Sequence, residues 1–266
     1  MERIGRTWEL AKSSWNVLQR DRELVVLPLV GLVIALAVAL GGLGILAATG
    51  ALDEDGIQGM GIIILVIVGI VTAVIIEFFA GAVVGAALDR LNGGDPTVSS
   101  AVNAAGQRFP SLVGWGAINW TVGAVLQALR ERAGFLGDLV AVLAGMAWTV
   151  ASFLALPVIM AENLGPIAAL KRSSELLRRT WGENLLSQFG FGIVGLVAML
   201  PGVLIGGAIA AVVPFLGIPL IVLWVLFVFA VMSALTSVFK AVLYRYATEG
   251  QSDPAFGDLG TAFTPK

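Results

Sequence analysis

Residues 60–87 read MGIIILVIVGIVTAVIIEFFAGAVVGAA, and Glu77 is the lone charge in the run. A helix rises about 1.5 Å per residue, and about 20 apolar residues cross a hydrocarbon core about 30 Å thick. This stretch therefore predicts a membrane-spanning helix. Working outward, comparable runs recur along the chain, and six spans fit best, at roughly 24–50, 60–87, 111–128, 135–160, 185–212 and 215–244. The predicted class is all-α, a polytopic membrane protein. Residues 1–250 are read as one six-span domain and 251–266 as a short, mobile cytoplasmic tail.

Composition agrees. Charged residues make up 13% of the 266 and apolar residues 58%, with a mean hydropathy of +0.93. A soluble surface needs roughly twice that share of charge, so lipid must cover this chain. The chain has no Cys and no His. That excludes disulfides, thiolate or imidazole metal sites, and Cys–His or Ser–His catalysis. No metal, cofactor or nucleic-acid partner is expected. The first 23 residues are charged and amphipathic, and the run from Leu24 is too long for a signal segment, so it reads as a span that stays in the membrane.

Charge sets the expected orientation. Fourteen of the 16 basic residues fall in the N-terminal segment, the second and fourth connections and the C-terminal end; Arg130 and Arg132 fall on the other side with Asp53, Glu54 and Asp55. The positive-inside rule then places both termini in the cytoplasm, with the protein in the plasma membrane. A five-span alternative would lose this asymmetry.

Each cytoplasmic segment before a pair of spans carries an apolar stripe at helical spacing. The stripes are Ile4, Trp8, Ala11, Trp15 and Leu18; Val98, Ala101, Ala105 and Phe109; and Ile167, Leu170, Ser174, Leu177 and Trp181, with a polar lapse at Ser174. Such helices lie in the headgroup plane, with Trp8, Trp15 and Trp181 as anchors. Asp95-Pro96, Gly165-Pro166 and Asp253-Pro254 follow the even-numbered spans and predict helix starts, with Asp as cap and Pro at the first position. The expected unit is interfacial helix, span, span, in three pseudo-repeats of about 1–92, 93–163 and 164–250. That makes three hairpins, each preceded by an amphipathic helix.

The opening Arg6-Thr7-Trp8-Glu9-Leu10-Ala11-Lys12-Ser13-Ser14-Trp15, the segment from Pro157-Val158-Ile159-Met160-Ala161-Glu162 to Trp181, and the ending Leu243-Tyr244-Arg245-Tyr246-Ala247 carry a resemblance. They resemble a broad group of uncharacterised bacterial and archaeal six-span proteins. More distantly, they resemble the membrane domain attached to some glycerophosphodiester phosphodiesterases. The catalytic domain of those enzymes has no counterpart here, so the resemblance implies a membrane protein and no activity.

Glu77 is the main candidate for chemistry. It lies about twelve residues, or about 18 Å, from Asp89 and so near mid-bilayer. An acid there costs at least about 2.5–3.5 kcal/mol on insertion scales, and it therefore faces protein or water. Gly81, Val84 and Gly85 share its face, and Gly81-x-x-x-Gly85 is a close-packing pattern. Aligning Pro96, Pro166 and Pro254 sets Glu77 level with Ala147 and Leu235. Thr149, Ser152, Ser233, Thr236, Ser237 and Lys240 then become its candidate partners. The functional reading is a proton or ion relay. The structural reading is a hydrogen-bonded Glu that locks helix packing while Lys240 snorkels to the headgroups.

Pro201, among several glycines, reads as a kink in span five, and Pro214 to Pro219 as a tight uncharged outer turn. Lys171, Arg172, Arg178 and Arg179 are candidate contacts for anionic lipid, each worth about 1 kcal/mol beside an anionic leaflet; topogenesis alone would also account for them. Glu162, Glu175 and Glu183 are expected to pair along helix surfaces. No phosphate loop, nucleophile elbow or dinucleotide fingerprint is found.

The expected function is a non-enzymatic bundle that organises the membrane, as an accessory or scaffold subunit. Its expected partners are membrane lipid, other membrane proteins or a second copy. The runner-up is a small transporter or channel-like protein using Glu77. A lipid-processing enzyme ranks third, for want of clustered carboxylates near the interface.

Overall fold

The computed structural model describes residues 25–53, 56–57, 59–132, 134–181 and 191–250. In chain order these form α1 (Val26–Ala48), a two-residue antiparallel pair β1 (Leu52–Asp53) and β2 (Gly56–Ile57), α2 (Met60–Leu91), α3 (Val98–Gln107), α4 (Phe109–Arg132), α5 (Gly134–Ala151), α6 (Ala155–Glu162), α7 (Pro166–Trp181), α8 (Phe191–Val212) and α9 (Pro214–Glu249). Six candidate spans are long and apolar enough to cross a membrane: α1, α2, α4, the α5–α6 pair, α8 and α9. The chain is an all-α, multi-pass membrane protein. The N-terminal stripe with Trp8 and Trp15, the Asp253-Pro254 start and the 251–266 tail lie outside the described residues.

Neighbouring spans run antiparallel and close in on glycine. A Cβ on Gly31 would meet Phe79, and one on Gly42 would meet Val68, which seats α1 along α2. A Cβ on Gly116 would stand 2.8 Å from the Val74 backbone, so α2 and α4 touch main chain to side-chain-free surface. Gly202 faces Trp224 and Gly206 faces Ile221, which zips α8 to α9. With no hydrophobic force between helices in lipid, close approach at small residues is the main source of packing. α9 also packs on α2 and α1.

The packed core lies at one end of the bundle. Its buried residues include Leu27, Val83, Ala87, Leu112, Leu154, Ile159, Leu177, Phe239 and Leu243. At that end the final turns of α2, α6 and α9 meet, because Tyr244 Oη donates to Glu162 and Arg245 donates to the Leu91 carbonyl. The far halves of the spans leave Leu40, Leu43, Leu143, Leu204 and Leu223 exposed, as lipid-covered helices do. The core end is also the basic end, carrying Arg90, Arg108 and the α7 cations.

Two local expectations change. Helix α3 starts at Val98, not at Pro96: Thr97 Oγ1 accepts from Ser100 N–H at 3.1 Å, and Ser100 Oγ accepts from Thr97 N–H at 2.9 Å. Asp95 is drawn away from capping by Arg90, 2.7 Å distant. At the fourth connection Gly165-Pro166 does open α7, with Pro at the first position. The Pro214–Pro219 stretch is helix rather than turn. The whole connection is Val213, and Pro214 needs no N–H partner at the first position. Gly217 lets α9 fold back directly onto Ala210. Helix α8 continues through Pro201 as one element.

Span four is broken at 152–154, between α5 and α6. The break is satisfied from a distance. Ser173, fully buried on α7, accepts the Leu154 N–H at 3.0 Å. Ser174 donates to the Leu170 carbonyl at 3.0 Å and leans on the Ala151 carbonyl at 3.4 Å. The polar lapse in the α7 stripe is thus the point where α7 holds the break. The face α7 buries is Ala169, Ser173, Leu176 and Leu177, one step round from the expected stripe; Ile167 is exposed. On α3 the buried face is Ala101 and Ala105, while Phe109 is exposed and meets Phe78 edge-on.

Candidate functional site

Helix α2 carries Glu77 inward, and the partners it finds come chiefly from span three. Asn119 on α4 donates from Nδ2 to Glu77 Oε1 at 2.6 Å. The Asn119 Oδ1 in turn accepts from the Trp148 indole N–H on α5 at 3.0 Å. Trp115, one turn before Asn119, stacks on Trp148 with centroids 5.9 Å apart and planes at 18°. The Trp115 indole also reaches the Glu77 carboxylate. One carboxylate therefore ties three spans through an amide and two indoles. An acid in hydrocarbon needs such donors, since lipid offers none.

Lys240 on α9 is the cation that faces Glu77 electrostatically. Its Nζ lies 5.3 Å from the centroid of Phe153, a residue of the span-four break. A cation over an aromatic face gains attraction without needing water. Glu77 and Lys240 are coupled electrostatically across the bundle without a direct ion pair among the described contacts.

The remaining sequence candidates separate. Thr149 Oγ1 turns back to the Gly145 carbonyl of its own helix at 2.8 Å, on an exposed face. Ser152 contributes its main chain to the turn of the break, with its N–H on the Trp148 carbonyl and its carbonyl accepting from Ala155. Ser233 lines a small cleft against α1 with Pro28 and Gly31. Ser237 is buried on α9, and Thr236 is half-buried beside it. The proline alignment compared spans two, four and six with one another. It therefore passed over Asn119, a polar residue inside the span-three run GWGAINWTVGA.

At the basic end a second polar cluster forms around Glu162. It accepts from Tyr244 at 3.0 Å and pairs with Arg172 at 3.2 Å, joining α6, α9 and α7. This bridges elements rather than running along one helix surface. The hydrogen bond and charge of Glu162 push the Arg172 guanidinium further toward its charged form. Glu175 pairs along α7 as expected, with Arg179 at 2.5 Å and Arg172 at 3.7 Å. Of the four α7 cations, Arg172 and Arg179 are engaged by carboxylates, and Lys171 and Arg178 are exposed. The Trp181 side chain and Glu183 lie outside the described residues.

Among the described residues no His, Cys, Asp and Glu group of three or more stands together as a metal site would need. The sequence of residues 59–254 matches a family of unknown function, DUF6159. This match covers well over half of the chain, which therefore belongs to that family. No curated protein matches the chain.

Proposed function

We propose that this DUF6159 protein is a non-enzymatic membrane-organising bundle, an accessory or scaffold subunit, with both termini in the cytoplasm of the cell bearing it. The supporting observation is the state of Glu77. Its carboxylate is held by Asn119, which is itself held by Trp148, and Lys240 is its electrostatic neighbour. A chain of hydrogen bonds across three spans serves packing: it fixes the rotation of α2, α4 and α5 about one point. Helices α3 and α7 serve as headgroup-level supports in this reading. Lys171 and Arg178 face anionic lipid, and so would Arg172 and Arg179 on their free sides. The three pseudo-repeats and the distant likeness to the phosphodiesterase membrane domain belong to the same reading and carry no activity.

The test is chemical crosslinking in native membranes followed by affinity capture of the full chain. A scaffold subunit brings down one partner, or a second copy of itself, in fixed stoichiometry, and Glu77→Gln retains it. Recovery of the chain alone as a monomer would sink the reading.

A second reading, a small transporter, has a specific observation in its favour. The span-four break at 152–154 places Phe153 against Lys240, the cation opposite Glu77. Broken helices beside paired intramembrane charges are a feature of transporter binding sites.

A further inference from the structure

Between α2, α3, α6 and α9, at the basic end, lies a half-open cavity of about 440 Å³. Its lining includes neither Glu77 nor Lys240. Small residues create it. A Cβ on Gly85 would stand 2.8 Å from Met160 Cε and 3.8 Å from Ala104 Cβ, so a side chain at 85 would push the Met160 methyl aside and narrow the floor. Gly85, Leu88, Ala104 and Met160 make that floor apolar.

The rim is polar and of mixed charge, with Asn92, Gln107, Arg108, Arg245 and Glu249. Arg245 is already committed: its Nε meets Glu249 at 3.2 Å, and it donates to the Leu91 carbonyl. Arg108 differs. It is half-buried at the junction of α3 and α4, where its carbonyl accepts the Leu112 N–H at 3.0 Å. Among the described residues its guanidinium has no carboxylate partner. A guanidinium presents a planar fork that fits a phosphate with two hydrogen bonds.

We propose that this cavity binds a phosphate-ester anion, specifically an anionic phospholipid. Its phosphate sits at Arg108, and its glycerol and first methylenes cover Gly85, Leu88, Ala104 and Met160. Four considerations select this class. The volume lies within the range of about 300–1,000 Å³ usual for small-ligand sites. A neutral ligand would leave Arg108 half-buried and unpaired, and a cation would be repelled by it. A free phosphate would satisfy Arg108 but leave the apolar floor wet. The cavity lies where the apolar helices end, which is the depth of lipid headgroups. The inference is independent of the scaffold reading, since it uses no residue of the Glu77 network.

The full chain, delipidated in a neutral detergent, is titrated in native mass spectrometry with dioctanoyl phosphatidylglycerol. Dioctanoyl phosphatidylcholine and inorganic phosphate are titrated in parallel. The expected result is one saturable phosphatidylglycerol per chain, weakened about tenfold or more by Arg108→Gln, which corresponds to about 1.4 kcal/mol or more. Phosphatidylcholine carries the same phosphodiester, but its choline cation falls beside the Arg108 guanidinium, so it binds more weakly. Ala104→Phe, which fills the floor and keeps the cation, loses the lipid and leaves any phosphate binding unchanged. It also carries the test if Arg108→Gln fails to fold. Equal phosphatidylglycerol binding by wild type and both variants overturns the proposal, as does phosphatidylcholine binding as tightly. Arg108-dependent binding of inorganic phosphate without the lipid would assign the site to a soluble phosphate and overturn the lipid claim.

Discussion

Replacing Asn119 with Leu removes the bridge that joins three spans while keeping the side-chain volume. Two hydrogen bonds go: the 2.6 Å bond to Glu77 and the 3.0 Å bond from Trp148. An interhelical hydrogen bond in lipid contributes about 0.6–1.7 kcal/mol. Losing two of them should cost the variant about 1–3 kcal/mol. The larger part comes from leaving Glu77 with fewer donors. A double-mutant cycle with Glu77→Leu isolates the pair, because Leu can neither accept from Asn119 nor carry a charge. The coupling between positions 77 and 119 should be about 1 kcal/mol or more. The assay is reversible unfolding in bicelles, followed by circular dichroism and by tryptophan emission, since Trp115 and Trp148 stack at the site. A loss below about 0.5 kcal/mol for Asn119→Leu, with no coupling, would refute the claim that this network locks the bundle.

Three other outcomes are expected. Ser173→Ala should cost about 1–3 kcal/mol, because the Leu154 N–H is left buried without its acceptor, whereas Ser174→Ala should cost less than about 1 kcal/mol; unfolding in the same bicelles checks both. Single Cys residues at Ser99 and Ser252 should resist an impermeant thiol reagent in intact cells, while one at Asp55 should react. Labelling at 252 from outside would overturn the orientation. Lys171→Gln with Arg178→Gln should reduce co-purified anionic lipid with topology unchanged, measured by lipid mass spectrometry of the purified protein; equal retention would leave those cations a topogenic role alone.

The spans were legible because an apolar run of that length has one stable solution in lipid, and Gly165-Pro166 was legible because Pro is compatible with the first position of a helix. Asp95-Pro96 misled for a physical reason. Asp95 had two possible uses, cap or ion pair, and Arg90 five residues earlier took it, leaving Thr97 and Ser100 to cap reciprocally. The span-four break gave no local signal, since Ser152, Phe153 and Leu154 include no Gly or Pro. It is stabilised by Ser173, nineteen residues away, and only the tertiary structure joins them. In the candidate site, the need of Glu77 for donors followed from its depth. Which donors did not, because helix rotation is set by contacts such as Gly116 on Val74. The electrostatic coupling of Lys240 to Glu77 lay within reach of the proline alignment because both residues lie on even-numbered spans. Asn119 lay on the span that alignment skipped.

The claim at the centre of this account is that Glu77 holds the bundle together and does not conduct. It is tested most directly by ion and proton flux in liposomes containing the full chain, wild type against Glu77→Gln, under an imposed pH gradient and membrane potential. The account predicts flux at the level of protein-free liposomes for both, with Glu77→Gln still folded and monodisperse. Wild-type flux above that level, abolished by Glu77→Gln in a protein that remains folded, would contradict it.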